Sequence, residues 1–437
     1  MRIMVLSHGH PELGAGGAER AAYALFQRLK SDPTVDKAVF VARAEDAAIG
    51  HSAFFGSFRG RHDEILAALP PVDGFTYQSL NHDLLRQLVD ELVRAFRPTV
   101  VHIHHFLYWG VEIFELFKEA GVRVVFTVHE YAAICAHYGQ MIKADGRLCY
   151  AESTAECSLC FPSVSAGKFF VRKTICQHFL DHVDAFIAPS RFLKDRYTAW
   201  GLPAARIEVV ENVLDGDVLG RISVASLETR QASARGERRG ARRTVFGYFG
   251  QITPFKGVDV LLEACSLLPE EVRGRIEIRV HGENKHYQEH NFWKKVERLR
   301  ASTRGIVRMM GAYRNLDVAD LMLACDWIVV PSIWWENSPI VIQEARLTGR
   351  PIICSNIGGM AEKIDPRVDL TFPVGSSGAL AELMQALATG EIEPDGRVAA
   401  NLASARPVAD ADNYARHCRI YRGLNRAEGG ATMAHAG

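Results

Sequence analysis

The sequence predicts an α/β protein made of two doubly wound domains facing each other across a cleft. Three observations carry that expectation. Short apolar, β-branched runs recur along the chain (Ile3–Leu6, Val122–Val128, Ile276–His281, Trp327–Pro331), as in strands buried on both faces. Stretches of helical periodicity alternate with them, which is the rhythm of parallel sheets. A hydrophilic interval, Gly220–Arg243, with six arginines from Arg230 to Arg243, divides the two series and reads as a solvated linker. At 437 residues the chain is long enough for two separate cores.

Composition narrows the function classes. The hydrophobic (48%) and charged (23%) fractions are those of a soluble globular protein. A formal net charge of zero argues against a commitment to nucleic acid. No apolar run reaches bilayer length, and Arg2 with Ile3–Leu6 reads as a first strand rather than a signal peptide. A cytoplasmic protein is therefore expected, one that can sit at the inner face of a membrane.

The first strand, Ile3–Leu6, leads through a polar, glycine-rich loop to a helix over Ala18–Leu29. The loop fails the dinucleotide fingerprint because Glu19 occupies the third glycine position, yet Gly16 and Gly17 let backbone approach a ligand closely. Val39–Ala42 is a strand, Leu84–Phe96 an amphipathic helix, and Thr99–His104 and Val122–Val128 are further strands. His129 follows the last of these, at the strand end where such sheets bind ligands. His102 and His104 share one strand face, as two zinc ligands could, but no carboxylate or thiol neighbours them in sequence.

Four of the nine cysteines, Cys135, Cys149, Cys157 and Cys160, fall within 26 residues. The spacing of Cys157 and Cys160 lets both thiolates reach one tetrahedral ion. A structural zinc, an iron–sulfur cluster and four unrelated thiols all fit this pattern, and a metal is expected to order the loop rather than do chemistry. Lys168–His182 is a basic, apolar helical stretch. Its Phe169, Phe170, Ile175 and Phe179, with Lys168, Arg172 and Lys173, can pack on the sheet or rest on a membrane surface. Strands at Ala185–Pro189 and Ile207–Val210 complete the first sheet.

Val245–Phe249 restarts the rhythm, followed by a loop from Gly250 to Gly257 and a helix over Val258–Leu267. Lys256, just before that helix, adds a point charge suited to a diphosphate. Strands at Ile276–His281 and Val307–Met309 and a short helix over Leu316–Ala324 lead to the densest stretch, Asp326–Glu344. There a strand, Trp327–Pro331, precedes Ser338 as N-cap and Pro339 as first helical residue. The helix is expected to run to about Thr348, before Gly349 and Pro351. Its unpaired N–H groups suit a phosphate. Glu336 and Glu344 bracket this turn, Glu344 lying roughly 9 Å along the helix at 1.5 Å per residue. Each can accept hydrogen bonds from neutral hydroxyls flanking a diphosphate. Pro351–Cys354 is a strand, Gly358 and Gly359 allow close backbone approach, Asp412–Leu424 is a closing helix, and Ala427–Gly437 is expected to fray.

The Glu336/Glu344 spacing with Pro339 between and Ala345 after, the Gly16-Gly17-Ala18-Glu19 run, Thr127-Val128-His129 and Lys256 together resemble the retaining GT-B glycosyltransferases, the large group 1 family of bacterial mannosyl- and glucosyltransferases. Gln251 departs from the pattern, standing where an arginine is usual, and Val213 replaces a glycine between Asn212 and Asp215. The resemblance implies a GT-B fold of two Rossmann-like domains: an acceptor-side domain at 1–215, a basic linker at 216–243, a donor-binding domain at 244–408, a helix at 409–426 packing back toward the first domain, and a disordered tail at 427–437. It implies retaining transfer of a sugar from a nucleotide-diphosphate sugar to a glycan or lipid-linked acceptor, in cell-surface polysaccharide synthesis and without a catalytic metal. Catalytic roles would fall to Glu336, His129 and Lys256. Donor binding would fall to Gly16, Gly17, Gln251, Lys256, Glu336, Asn337, Ser338, Pro339, Ile340 and Glu344. A sugar-nucleotide epimerase of the same architecture and a non-catalytic nucleotide-sugar-binding protein remain open.

Overall fold

The computed structural model describes residues 1–14, 16–45, 54–221, 243–283, 290–393 and 396–431. Most of the expected basic linker therefore lies outside the described residues. The chain divides into two compact units, Met1–Gly216 with Asp410–Gly437, and Asp217–Ala409.

The first unit is built on an eight-stranded sheet: β1 (Arg2–Ser7), β2 (Lys37–Arg43), β3 (Phe55–Phe58), β4 (Arg61–Ala67), β5 (Val100–Ile103), β6 (Arg123–Thr127), β7 (Ala185–Ala188) and β8 (Ile207–Val209). The order is β3-β4-β2-β1-β5-β6-β7-β8, parallel throughout except for the β3–β4 pair. The central strands are buried on both faces, which is why they read as unbroken apolar runs. The helices are α1 (Gly17–Lys30), α2 (His82–Phe96), α3 (Ile113–Glu119), α4 (Thr154–Cys160), α5 (Ala166–Leu180) and α6 (Arg191–Trp200). Asn81 and Ser190 accept from Leu84 N and Leu193 N and so cap α2 and α6. The sheet switches direction between β1, which leads to β2 on one side, and its other neighbour β5.

Three features of this unit add to the sequence expectations, decide between them or correct them. The β3–β4 hairpin was not expected, because β4 carries His62, Asp63 and Glu64 where an apolar alternation would be looked for. Glu64 is nonetheless buried, held by Arg61, by Tyr23 Oη at 3.1 Å and by His10 Nε2 at 3.1 Å. In α5 Arg172 is not a membrane-facing cation. It is 2% exposed, and its guanidinium donates to the carbonyls of Phe75, Ala132 and Ala133, pinning the loop after β6. The closing helix is longer than expected, spanning Gly396–Ala431 with Pro407 inside, so residues 427–431 are helical rather than frayed.

The second unit holds a six-stranded parallel sheet: β9 (Thr244–Phe249), β10 (Ile276–His281), β11 (Val307–Gly311), β12 (Trp327–Val330), β13 (Ile352–Ser355) and β14 (Leu370–Phe372), ordered β11-β10-β9-β12-β13-β14. Its core packs Phe246, Ile278, Val280, Val329 and Ile353 of the sheet against Leu261 and Leu262 of the Val258–Leu267 helix. This sheet switches between β9 and β12. In open α/β sheets ligands bind beyond the strand C-termini at such a point. No described helix is long and apolar enough to cross a membrane.

From Asp410 onward the last helix belongs to the first unit. Asp410 is fully buried, accepting from Leu214 N at 2.7 Å and pairing with Arg28 at 2.8 Å. Tyr421 Oη and His102 Nδ1 share a 2.6 Å bond, while His102 Nε2 meets Thr127 Oγ1 at 2.7 Å. His102 thus has both ring nitrogens occupied by structural partners, which leaves neither for the zinc its strand position suggested. Asp410→Ala strands a buried N–H and a guanidinium, and is expected to lower stability by about 3 kcal/mol. An unchanged urea midpoint for that variant would contradict this role.

Candidate functional site

At the switch point of the second unit two loops meet, one following β9 and carrying Lys256, the other following β12 and carrying Glu336. Their backbones are locked together. Ile333 N donates to Phe255 O at 2.9 Å. Gly257 has φ +67°, and a Cβ there would fall 1.9 Å from Pro331 O, so only glycine permits this approach. At Gly358 (φ +58°) a Cβ would fall 2.8 Å from Glu336 O, which accepts from Gly359 N at 2.7 Å.

Within this frame Lys256 Nζ lies 2.5 Å from Glu336 Oε1. The same oxygen accepts from Ser332 Oγ at 2.9 Å and Trp334 Nε1 at 3.0 Å. Lys256 also stands 5.6 Å over the Trp334 ring. Glu336 is only 6% exposed. Burial by itself would push its carboxyl up, but the Lys256 charge and the bonds from Lys256, Trp334 and Ser332 outweigh it and hold the group below its ordinary 4.5. Sequence separation hid this pair, whose members lie 80 residues apart.

The helix after Glu336 runs over Ile340–Leu347, and Gly349 (φ +64°) follows its end. Pro339 is its N-cap, and no side chain caps it. Ser338 was expected to cap, but its hydroxyl instead accepts from Gln343 Nε2 at 3.2 Å, and Gln343 Oε1 in turn accepts from Arg406 at 2.6 Å. Glu344 is buried, Asn337 and Ile340 are half-buried, and Gln251 is exposed, its carbonyl accepting from Tyr248 Oη.

Gly16 and Gly17 belong to the first unit, where Gly16 is the N-cap of α1 and Gly17 its exposed first residue. Glu19 folds back against Gly16 and pairs with His8 at 3.1 Å. Half-buried His129 shares a 2.8 Å bond with His104 Nδ1 through its Nε2, the rings stacked at 5.1 Å. Burial, with the nearby His8 adding to it, lowers His129 to about 3, so its imidazole is neutral. Next to it Glu130 meets His105 Nε2 at 3.3 Å, and burial pushes its carboxyl up to about 8. The sequence reading assigned no role to His8, His105 or Glu130. Each stands just past β1, β5 or β6, and that placement was the available signal.

The four loop cysteines are free thiols, Cys157 and Cys160 on α4 and Cys135 and Cys149 before it. Among the described residues no three of their sulfurs come within 4.8 Å of one another.

Residues 15–218 match the family described as Glycosyltransferase Family 4, and residues 243–389 match Glycosyl transferases group 1. The chain belongs to the GT-B glycosyltransferases. Among curated proteins the chain is 29% identical over 140 residues to the O-antigen chain mannosyltransferase B of Escherichia coli, covering 32% of this chain and 36% of that protein. It is 27% identical over 217 residues to the lipopolysaccharide 1,2-N-acetylglucosaminetransferase of Salmonella typhimurium, covering 48% and 55%. The chain thus matches between about a third and about half the length of these relatives. In fold it is similar to Anabaena HepE in complex with UDP (TM-score 0.67, 17% identity, 97% of this chain and 100% of that one). It is also similar to the sucrose-phosphate synthase of Thermosynechococcus elongatus (TM-score 0.66, 17% identity, 97% and 99%).

The Lys256–Glu336 pair has a measurable pH signature. With its folded pKa depressed, Glu336 contributes stability that is present above pH 4.5 and lost as pH falls through the folded value. Lys256→Met leaves a buried carboxylate without its cation, so the folded pKa moves above 4.5 and the sign reverses. The variant is expected to lose stability on raising the pH from 5 to 7, by about 2 kcal/mol relative to wild type at pH 7. Parallel urea midpoints for the two proteins across that range would contradict the pairing.

Proposed function

We propose that the protein transfers a sugar from a nucleotide-diphosphate donor to a glycan or lipid-linked acceptor in cell-surface polysaccharide synthesis, with retention of anomeric configuration and without a catalytic metal. The observation that carries this reading is the Lys256–Glu336 ion pair beside the start of the Ile340–Leu347 helix, at the strand C-termini of the second unit. The relatives' names, which describe mannosyl and N-acetylglucosamine transfer in O-antigen and lipopolysaccharide, support the substrate class. The UDP held by the HepE structure supports a nucleotide donor.

Lys256 and the uncapped helix start supply positive charge where a diphosphate leaving group develops negative charge. In the ligand-free arrangement Glu336 occupies the ammonium. A donor diphosphate draws Lys256 toward itself and releases Glu336 Oε1 to accept from a sugar hydroxyl, while Oε2, which none of the three donors contacts, is a second acceptor. Glu344, about one turn into the Ile340–Leu347 helix, is assigned to the ribose hydroxyls.

Glu336 is a poor candidate for a covalent nucleophile. Its charge is spread into three hydrogen bonds, and a double displacement needs an acid/base partner about 5 Å away. The acceptor instead attacks on the face the leaving group departs from, and the departing phosphate takes the acceptor's proton. His129, already neutral, hydrogen-bonds without acting as an acid or base. The exposed Phe170 and Val171 of α5, near Lys168, support peripheral contact with a membrane holding a lipid-linked acceptor.

Glu336→Ala and Lys256→Ala are each expected to lower kcat by about 100-fold or more in folded protein, with turnover unchanged by EDTA. Wild-type transfer rates in both variants, across a panel of sugar nucleotides, would refute the donor assignment. Activity abolished by EDTA and restored by a divalent ion would refute the metal-free chemistry.

A further inference from the structure

Glu115, His178 and His182 lie outside the sites described above, where α3 meets the end of α5. His178 and His182 are four residues apart, one in the last turn of α5 and the other in the turn that prolongs it, where His182 N still donates to Phe179 O at 3.2 Å. Side chains at that spacing share a helix face. Their rings stand 5.7 Å apart and perpendicular. Glu115, from the first turn of α3, brings Oε1 to 3.6 Å from His182 Nε2. One ligand atom from each of the three residues lies within 4.8 Å of the other two, and among the described residues this is the one set of three that does so.

We propose that Glu115, His178 and His182 form a binding site for a divalent transition ion of the zinc class. Two imidazole nitrogens and one carboxylate oxygen are a ligand set zinc accepts, at about 2.0–2.2 Å from the metal. Tetrahedral geometry at those lengths places ligand atoms roughly 3.3 Å apart. The three groups need to converge only slightly, and exposed His178 has the freedom to do it. The same exposure gives the ion a route in and leaves the fourth position to water.

The ion joins two neighbouring crossovers of the first unit, since α3 leads from β5 to β6 and α5 precedes β7. The Lys118–Asp184 pair at 2.5 Å already ties these segments together nearby. Arg206 sits beside the site, anchored on the carbonyls of Asp181 and Val183, and Asp181 at 3.7 Å offsets its charge. The site needs neither sugar transfer nor the loop cysteines, so its test is separate from that of the proposed function.

The test titrates EDTA-treated full-length protein with Zn²⁺ and Co²⁺, comparing wild type with His178→Ala, His182→Ala, Glu115→Gln and a Cys157→Ser/Cys160→Ser double variant. The expected result is one bound ion per chain and a higher Tm with zinc, both retained in the cysteine variant. Affinity should fall at least tenfold in each histidine variant, and bound cobalt should show no thiolate charge-transfer band. His178 is exposed, so its replacement spares the core, and circular dichroism checks the fold of each variant. The proposal is overturned if wild type binds no ion, if folded His178→Ala and His182→Ala bind as wild type does, or if binding disappears with the cysteines.

Discussion

A carboxylate buried beyond the C-terminal end of β12, Glu336, is the constraint around which the neighbouring chain is arranged. An ionised carboxylate taken out of water without partners is unfavourable by several kcal/mol. Here one oxygen receives an ammonium, a hydroxyl and an indole N–H, and the group stays charged. The backbone follows from that requirement. Gly257 must be glycine so that the Lys256 loop can lie against Pro331, and Gly358 must be glycine so that the next loop can close on the Glu336 carbonyl. Two glycines, from segments about a hundred residues apart, thus hold one ion pair in register.

Such a pair is well suited to exchange. Lys256 is 30% exposed and Glu336 is not, so an incoming anion can draw the lysine away while the carboxylate remains fixed by Ser332 and Trp334. Polar groups at the strand ends of the first unit are of another kind. His104 and His129 pair there, and burial holds both imidazoles below their ordinary range, so this pair hydrogen-bonds without carrying charge.

Much of the fold was legible because its strands are buried on both faces. Ile276–His281 and the Val258–Leu267 helix appear where the apolar runs place them. What escaped did so for physical reasons. β4 is an edge-side strand whose charged residues are satisfied by tertiary partners that no local pattern reveals, as with Glu64 and His10. α6 was passed over although Ser190 announces it, because its ten residues mix basic and aromatic side chains. Ser338 carried the right signal for a cap but found a better partner in Gln343. The chemistry of Lys256 and of Glu336 could be guessed separately from their turns. Their mutual contact could not, since sheet topology rather than sequence proximity brings them together.

The central claim is that Lys256 and Glu336 exchange each other for the two halves of a sugar-nucleotide donor. Its most direct test is a crystal structure of the protein with an unhydrolysable nucleotide-diphosphate sugar. The expected result has a phosphate oxygen within hydrogen-bonding distance of Lys256 Nζ and of the N–H groups opening the Ile340–Leu347 helix, with Glu336 on a sugar hydroxyl. A diphosphate bound elsewhere, with the 2.5 Å ion pair intact, would contradict it.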